Sequence, residues 1–139
     1  MLVMEIAQFL SDNKLGKFDE TGVSGNIFVM SIPATPDTII SIYPSGGTSG
    51  DFKLAYDRPR IQIIVRGTKD PRVGYELANK IYDKLHGMYN CTFVPNGTHI
   101  VLCEGVQTPI HIGKDSNGRH EFSLNFDLEV LNQTENREY

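Results

Sequence analysis

The chain has 139 residues, of which 40% are hydrophobic and 22% charged, and its net charge is −4 at pH 7. This length suits one domain with a real core and leaves little room for a second. The negative charge argues against a general nucleic-acid binder, which would present a basic surface. No segment is long and apolar enough to cross a bilayer, and the first residues lack the basic start of a secretory signal.

The N-terminal third predicts one helix and two strands. Apolar residues recur at helical spacing in residues 1–14, so we expect an amphipathic helix that stops near Gly16. The apolar run Asn26–Ile32 predicts a buried strand, and the β-rich run Thr38–Tyr43 predicts a second one. Because the connection is short and contains two prolines, we expect these strands to form a hairpin. The next segment, Pro44–Asp51, is rich in glycine and serine and predicts a flexible loop.

The stretch Asp57–Gly87 predicts a strand followed directly by a helix. Apolar and polar residues alternate up to Gly67, which is the period of a strand with one buried face. Asp70 is then an N-cap carboxylate and Pro71 occupies the first helical position. An apolar stripe follows at helical spacing, and Gly87 is the expected left-handed residue after the helix.

The C-terminal third predicts strands joined by tight turns. Cys91–Val94 and Thr98–Val106 flank a Pro-Asn-Gly turn and predict a hairpin, and Ile110–Ile112 predicts a short edge strand. The last strand, Arg119–Leu131, alternates regularly between apolar and polar residues. Its inward residues are expected to be Phe122, Leu124, Phe126, Leu128 and Val130.

These elements together predict an α+β fold, with a mainly antiparallel sheet and two helices packed on one face. We expect residues 1–131 to form a single domain. Residues 132–139 are polar and are expected to be a flexible C-terminal tail.

The sequence carries no recognisable catalytic set, cofactor motif or metal site. The glycines of Gly46–Gly50 lack the following helix that a phosphate-binding loop needs. Cys91, His99, Cys103 and His111 are spaced too widely for a structural zinc site, so we expect ordinary strand residues and reduced thiols. We therefore expect no cofactor, no metal and no catalytic activity.

The polar face of the sheet carries charges of both signs. The central strand presents Arg58, Arg60 and Arg66, and the last strand presents Glu121, Asp127 and Glu129. The acidic row is more simply an outer strand face than a pair of catalytic carboxylates. The two rows could pair within one subunit or remain solvated, or they could pair across the subunits of a ring.

The glycine-rich segment is a second candidate for contact with a partner. Gly46, Gly47, Thr48, Ser49 and Gly50 would form a flexible tip, with the apolar residues Phe52, Leu54 and Tyr56 at its base. Segments of this composition often become ordered on a partner.

The sequence resembles the tail terminator proteins of long-tailed bacteriophages and prophages, which are also labelled minor capsid or tail completion proteins. The resemblance lies in Arg58–Gly67, a strand that ends in Val-Arg-Gly, and in Gly74–Gly87, a helix that ends in Leu-His-Gly. The N-terminal helix, the chain length and the alternating last strand agree with it.

The resemblance implies a non-enzymatic virion protein at the junction of tail and head, assembled in the host cytoplasm. Such proteins typically form a hexameric ring that caps the tail tube, ends its growth and meets the head connector. The implied partners are further copies of the chain, the tail tube protein and the head–tail connector protein, with DNA only passing through the lumen. In such a ring the acidic face of the last strand, with Glu121, Asp127 and Glu129, would be a candidate lumen or subunit-interface surface. The alternatives are a small cytosolic binding module, which could use Arg58, Arg60 and Arg66, or an enzyme whose site has no known motif.

Overall fold

The fold was obtained as a computed structural model, which describes residues 1–137 and contains two helices and one seven-stranded sheet. In chain order the elements are α1 (Leu2–Asp12), β1 (Ile27–Val29), β2 (Ile39–Thr48), β3 (Tyr56–Arg66), α2 (Pro71–Leu85), β4 (Tyr89–Cys91), β5 (Ile100–Gly105), β6 (Ile110–Lys114) and β7 (His120–Leu131). This confirms the predicted α+β fold class.

The last strand of the chain lies in the middle of the sheet. The strand order is β1-β2-β3-β7-β5-β4, and β6 also pairs with β7. One side of β7 is paired with β3 along almost its whole length. The other side is shared, since β6 pairs with its first half and β5 with its second half. Strand β7 therefore holds the two halves of the sheet together.

One hydrophobic core lies between the sheet and the two helices. The five predicted inward residues of β7 are all buried in it, which confirms the alternation. Helix α1 contributes Val3, Ile6 and Leu10, and α2 contributes Ala78 and Ile81 to the same core. Both helices therefore pack on one face of the sheet, and its other face is called the outer face below.

The strand and helix predicted in Asp57–Gly87 are confirmed. β3 ends at Arg66, and α2 begins at Pro71 behind Asp70, whose carboxylate accepts a hydrogen bond from the backbone N–H of Arg72 at 3.0 Å. This bond satisfies one of the free N–H groups at the helix start.

The predicted hairpin between the first two strands is wrong. β1 and β2 are parallel, with Ile27 opposite Ile40 and Val29 opposite Ile42. The reason is geometric, because β1 spans only three residues and the nine residues 30–38 can carry the chain back to its start. The two prolines in this connection therefore lie in a crossover between parallel strands and not in a hairpin turn.

The predicted flexible loop Pro44–Asp51 is largely strand. β2 continues to Thr48, which lies opposite Arg58 of β3, with a bulge between Pro44 and Gly47. Gly47 has φ +121°, and a Cβ atom there would collide with the carbonyl oxygen of Arg58. The absence of a side chain at Gly47 thus permits β2 and β3 to pair closely, and it does not serve to make a loop flexible.

The first part of the C-terminal tail is attached to the sheet. Arg137 donates to the Asp57 carboxylate at 2.7 and 3.1 Å, and Asn132 donates to the same carboxylate at 2.7 Å. These hydrogen bonds lower the pKa of Asp57. The part of the tail prediction that concerns residues 138–139 lies outside the described residues, and the domain boundary at 131 stays a prediction.

Candidate functional site

The two charged rows of the outer face meet within one subunit. Arg60 lies opposite Asp127 in the pairing of β3 with β7, and its guanidinium donates to both carboxylate oxygens at 2.7 and 3.2 Å. The bond to Asp127 raises the pKa of Arg60. One step further along the strands, Arg58 approaches Glu129 at 3.6 Å. The in-subunit pairing considered for these rows is therefore present, although all four side chains also reach solvent.

Arg66 differs from the other two arginines because only 3% of its surface is exposed. Its guanidinium donates to the backbone carbonyls of Asp37 at 3.0 Å and Pro36 at 2.7 Å. Burial, followed by the nearby charge of Arg119, lowers its pKa. The expectation that Arg66 presents its charge on an open outer face is therefore corrected, because the residues around Pro36 cover it. Glu121 lies opposite Arg66 at the same end of the sheet.

A second buried arginine, Arg119, holds the same part of the chain. It donates to the Ala34 carbonyl at 2.7 Å, to Asp37 at 3.1 Å and to Asp115 at 2.8 Å. From the sequence, Arg119 is expected only to begin the last strand. Its position directly after a turn that contains Asp115 could have indicated the ion pair with Asp115. That position does not indicate a contact with Ala34, which is distant in the sequence.

The outer face is thereby divided into a covered half and an open half. In the covered half, Ser41 donates to the Ser31 carbonyl at 2.6 Å, and the outward-facing Ile39 and Ile64 are buried. We call residues 31–37 the covering segment. The open half contains Arg58, Arg60, Asp127 and Glu129, and Glu104 of β5 lies beside Asp127. Four of the six predicted charged residues are thus brought together on one accessible surface.

The glycine-rich residues belong to the hairpin of β2 and β3, whose second strand also pairs with β7. We define the arm as residues 44–60, comprising the end of β2, the beginning of β3 and the turn between them. Asp51 accepts hydrogen bonds from the N–H groups of Leu54 at 2.7 Å and Lys53 at 3.0 Å, and these bonds lower its pKa. Phe52 stands at the tip with 87% of its surface exposed. The five predicted loop residues are therefore the first strand of the arm and the start of its turn.

The remaining reactive groups do not gather into a site. Within residues 1–137 there is no cluster of three or more His, Cys, Asp or Glu side chains that could hold a metal. Burial raises the pKa of the Cys103 thiol to about 12 and also raises that of Cys91. Thiols of this kind are poor nucleophiles at neutral pH. His111 and His120 share a hydrogen bond of 3.0 Å beside β6.

The described part of the chain contains no helix with the length and apolar character needed to span a membrane. An open polar cleft of about 730 Å³ lies beside the N-terminus of α2. Two of the charged groups that line it, Asp70 and Arg119, are already engaged in ion pairs.

Comparison with known proteins gives one clear finding. Residues 9–132 match the sequence profile of the family described as bacteriophage tail terminator protein. No curated protein matches the sequence significantly. The family consists of structural proteins of the phage tail, which fits a chain without a recognisable catalytic set, and its members act through contacts with other tail or head proteins. Since the match covers nearly the whole described fold, the chain belongs to the bacteriophage tail terminator family.

Proposed function

We propose that the protein forms a homo-oligomeric ring, of six subunits, that caps the tail tube, ends tail growth and helps to join the tail to the head. The ring would assemble in the host cytoplasm, contact the tail tube protein and the head–tail connector protein, and let DNA pass through its lumen. The observation that carries this proposal is the family match over residues 9–132.

The open half of the outer face is the proposed lumen or subunit-contact surface. Its exposed ion pairs leave no excess of positive charge, since Glu104, Asp127 and Glu129 outnumber Arg58 and Arg60. A lumen of this composition would repel phosphates weakly and let DNA slide without adhering. Arg66 is not part of this surface because it is buried under the covering segment.

The arm is the proposed contact with the tail tube or the connector. Its strand pairing gives it a fixed shape, and its turn presents the exposed side chains of Phe52 and Leu54. An exposed aromatic side chain is the type of residue that contributes most to protein interfaces. The residues Gly46–Gly50 would support this contact by shaping the arm.

The function is tested by assembling the purified chain with the tail tube protein of the same phage genome. We expect tubes of uniform length that bear one ring at an end, whereas tubes formed without the chain should grow to variable lengths. Negative-stain imaging measures both. Tubes whose length distribution is unaffected by the chain, with no density at either end, would refute the proposed function.

The open half of the outer face is tested by the double substitution Asp127→Lys and Glu129→Lys. We expect ring formation or DNA passage to fail, because four cations would then lie side by side where two ion pairs stood. The fold should survive, since exposed ion pairs contribute little. Ring formation is measured by imaging, and DNA passage by infection with reconstituted phage.

A matched control separates pairing within the subunit from contact with a partner. Exchanging the charges as Arg60→Asp with Asp127→Arg keeps the ion pair and the net charge. If the exchanged protein assembles and infects normally while the double lysine variant does not, only the local pair matters. Normal behaviour of both variants would remove this surface from the proposal.

A further inference from the structure

Strand β6 leaves one edge of the sheet uncovered. It pairs with β7 along one side, and no other strand within residues 1–137 pairs with its second side. Ile110 and Ile112 on this strand have 45% and 50% of their surface exposed. An open edge with exposed apolar side chains is a template for pairing with another strand.

The opposite edge of the sheet has a second uncovered length. β1 covers β2 only at Ile40–Ile42, so the outer side of β2 from Tyr43 to Thr48 has no neighbouring strand in the described chain. Residues 44–48 are all exposed. Their side chains are small or absent, apart from Pro44, and therefore leave room for an approaching backbone.

The directions of the two uncovered strands are complementary. β6 is antiparallel to β7, β7 to β3, and β3 to β2, so β6 runs antiparallel to β2. A second copy that continues the sheet would place its β2 beside β6 in the antiparallel orientation, which is also the orientation of most strand pairs in this sheet. This contact uses different surfaces of the two copies, and contacts of this kind form a ring when the rotation between neighbouring copies closes.

The two uncovered lengths lie at different heights of the sheet. Ile110 of β6 lies opposite Ser123 of β7, which lies opposite Ile64 of β3, which in turn lies opposite Ser41 of β2. Ile110 is therefore level with Ser41, whereas the uncovered part of β2 begins two residues later, at Tyr43. Pairing them therefore staggers each copy by at least two residues relative to the next. A stagger of constant sign is what a sheet needs in order to close on itself.

The charges at the two edges are also complementary. Lys114 is exposed at the end of β6, while Asp19 and Glu20 lie beside β1, next to the bridge between Phe18 and Ile27. With the antiparallel orientation and the stagger above, the Lys114 end of β6 faces the end of the neighbouring edge where these two carboxylates lie. The same chain thus supplies both halves of a matching contact.

We propose that β6 of one subunit pairs with the Tyr43–Thr48 edge of the next, so that the sheets of neighbouring subunits are continuous around the ring. The occupant of each uncovered edge is a second copy of this chain. The inference rests on the proposed ring and specifies its subunit contact.

The first test places a charge on the β6 edge. Ile112→Lys should weaken ring assembly about tenfold or more, because a lysine at an edge opposes strand addition and removes an apolar contact. Its melting temperature should stay close to that of the unmodified chain, since the side chain is already half exposed. Tyr89→Lys is the matched control, because Tyr89 lies on β4 at the same sheet edge and is 75% exposed. Sedimentation at several concentrations, with tail tubes present and absent, measures assembly.

The second test is cross-linking in a Cys91→Ser background. The variant with Ile112→Cys and either Ser45→Cys or Thr48→Cys should form disulfide-linked ladders up to the full ring, because paired strands bring Cβ atoms within about 5 Å. Each single cysteine should give no ladder. Covalent dimers from Ile112→Cys alone would mean that β6 pairs with β6, which would overturn the proposal.

Different outcomes would refute the β6 contact and the ring itself. Normal rings that form no ladder and tolerate Ile112→Lys would exclude this contact while leaving the ring in place. Absence of any ring from the unmodified chain, on tail tubes as well as in solution, would overturn both.

Discussion

Replacing Arg66 by alanine is expected to lower the free energy of unfolding by about 3 kcal/mol, the sum of two hydrogen bonds from a buried charged donor. The substitution removes the donors that now satisfy the carbonyls of Pro36 and Asp37. The covering segment would then lose one of its two arginine attachments, and the buried Ile39 and Ile64 would become accessible to water. For a chain of this size the melting temperature should fall by about 10 °C.

The matched control for Arg66→Ala is Arg58→Ala, on the same strand. Arg58 is exposed and its carboxylate partner is 3.6 Å away, so its loss should change the stability by no more than about 0.5 kcal/mol. Urea unfolding followed by circular dichroism measures both variants. Equal losses would show that Arg66 has no special structural role and that the covering segment is held by other contacts.

Replacing Gly47 by alanine is expected to destabilise the arm by about 3 kcal/mol through backbone strain and overlap. Its φ of +121° is unfavourable for any side chain, and the added Cβ atom would overlap the Arg58 carbonyl. The strands of the arm would have to separate at this point. Hydrogen exchange of residues 44–60 should therefore accelerate in the variant more than exchange in the rest of the sheet.

The neighbouring glycine is the control for this prediction. Gly46 has φ +77° and open space around the position of a Cβ atom, so Gly46→Ala should cost only about 1 kcal/mol. Similar exchange rates in the two variants would show that steric overlap at Gly47 is unimportant. If the arm contacts the tail tube, Gly47→Ala should also weaken tube binding more than Gly46→Ala does.

The parts of the fold that the sequence predicted well are those in which a local pattern and the tertiary structure agree. The alternation of β7 was reliable because one face of that strand is buried along its whole length. The start of α2 was reliable because capping by Asp70 and the fixed φ of Pro71 act within one turn. Neither feature depends on what lies elsewhere in the chain.

The predictions that were wrong concern features that depend on distant parts of the chain. Alternation correctly placed Arg66 on the outer face, but it gives no information about the covering segment that arrives from residues 31–37. The parallel pairing of β1 with β2 depends on the path of a connection whose prolines also suit a turn. At Gly47, composition alone does not distinguish a glycine needed for strand pairing from one that loosens a loop.

The sequence predicts which charged residues lie on the outer face, and the structure shows which of them pair and which are buried. Arg58, Arg60, Asp127 and Glu129 were named from the two strand patterns, and the register of β3 against β7 shows how they pair. Arg119 was missed because its acceptors, Ala34 and Asp37, are about eighty residues away in the sequence. Contacts at this separation leave no periodic signal in a single sequence.

The central position of β7 also determines when the sheet can be completed during synthesis of the chain. This strand is synthesised after all the others, yet β3, β5 and β6 each pair with it. A chain still on the ribosome therefore has two separate partial sheets, and its β6 has no strand to hold it. Such long-range pairing is completed late. If neighbouring subunits pair through β6 as proposed, a subunit can offer that edge only after its β7 has been synthesised, and shorter nascent chains lack it.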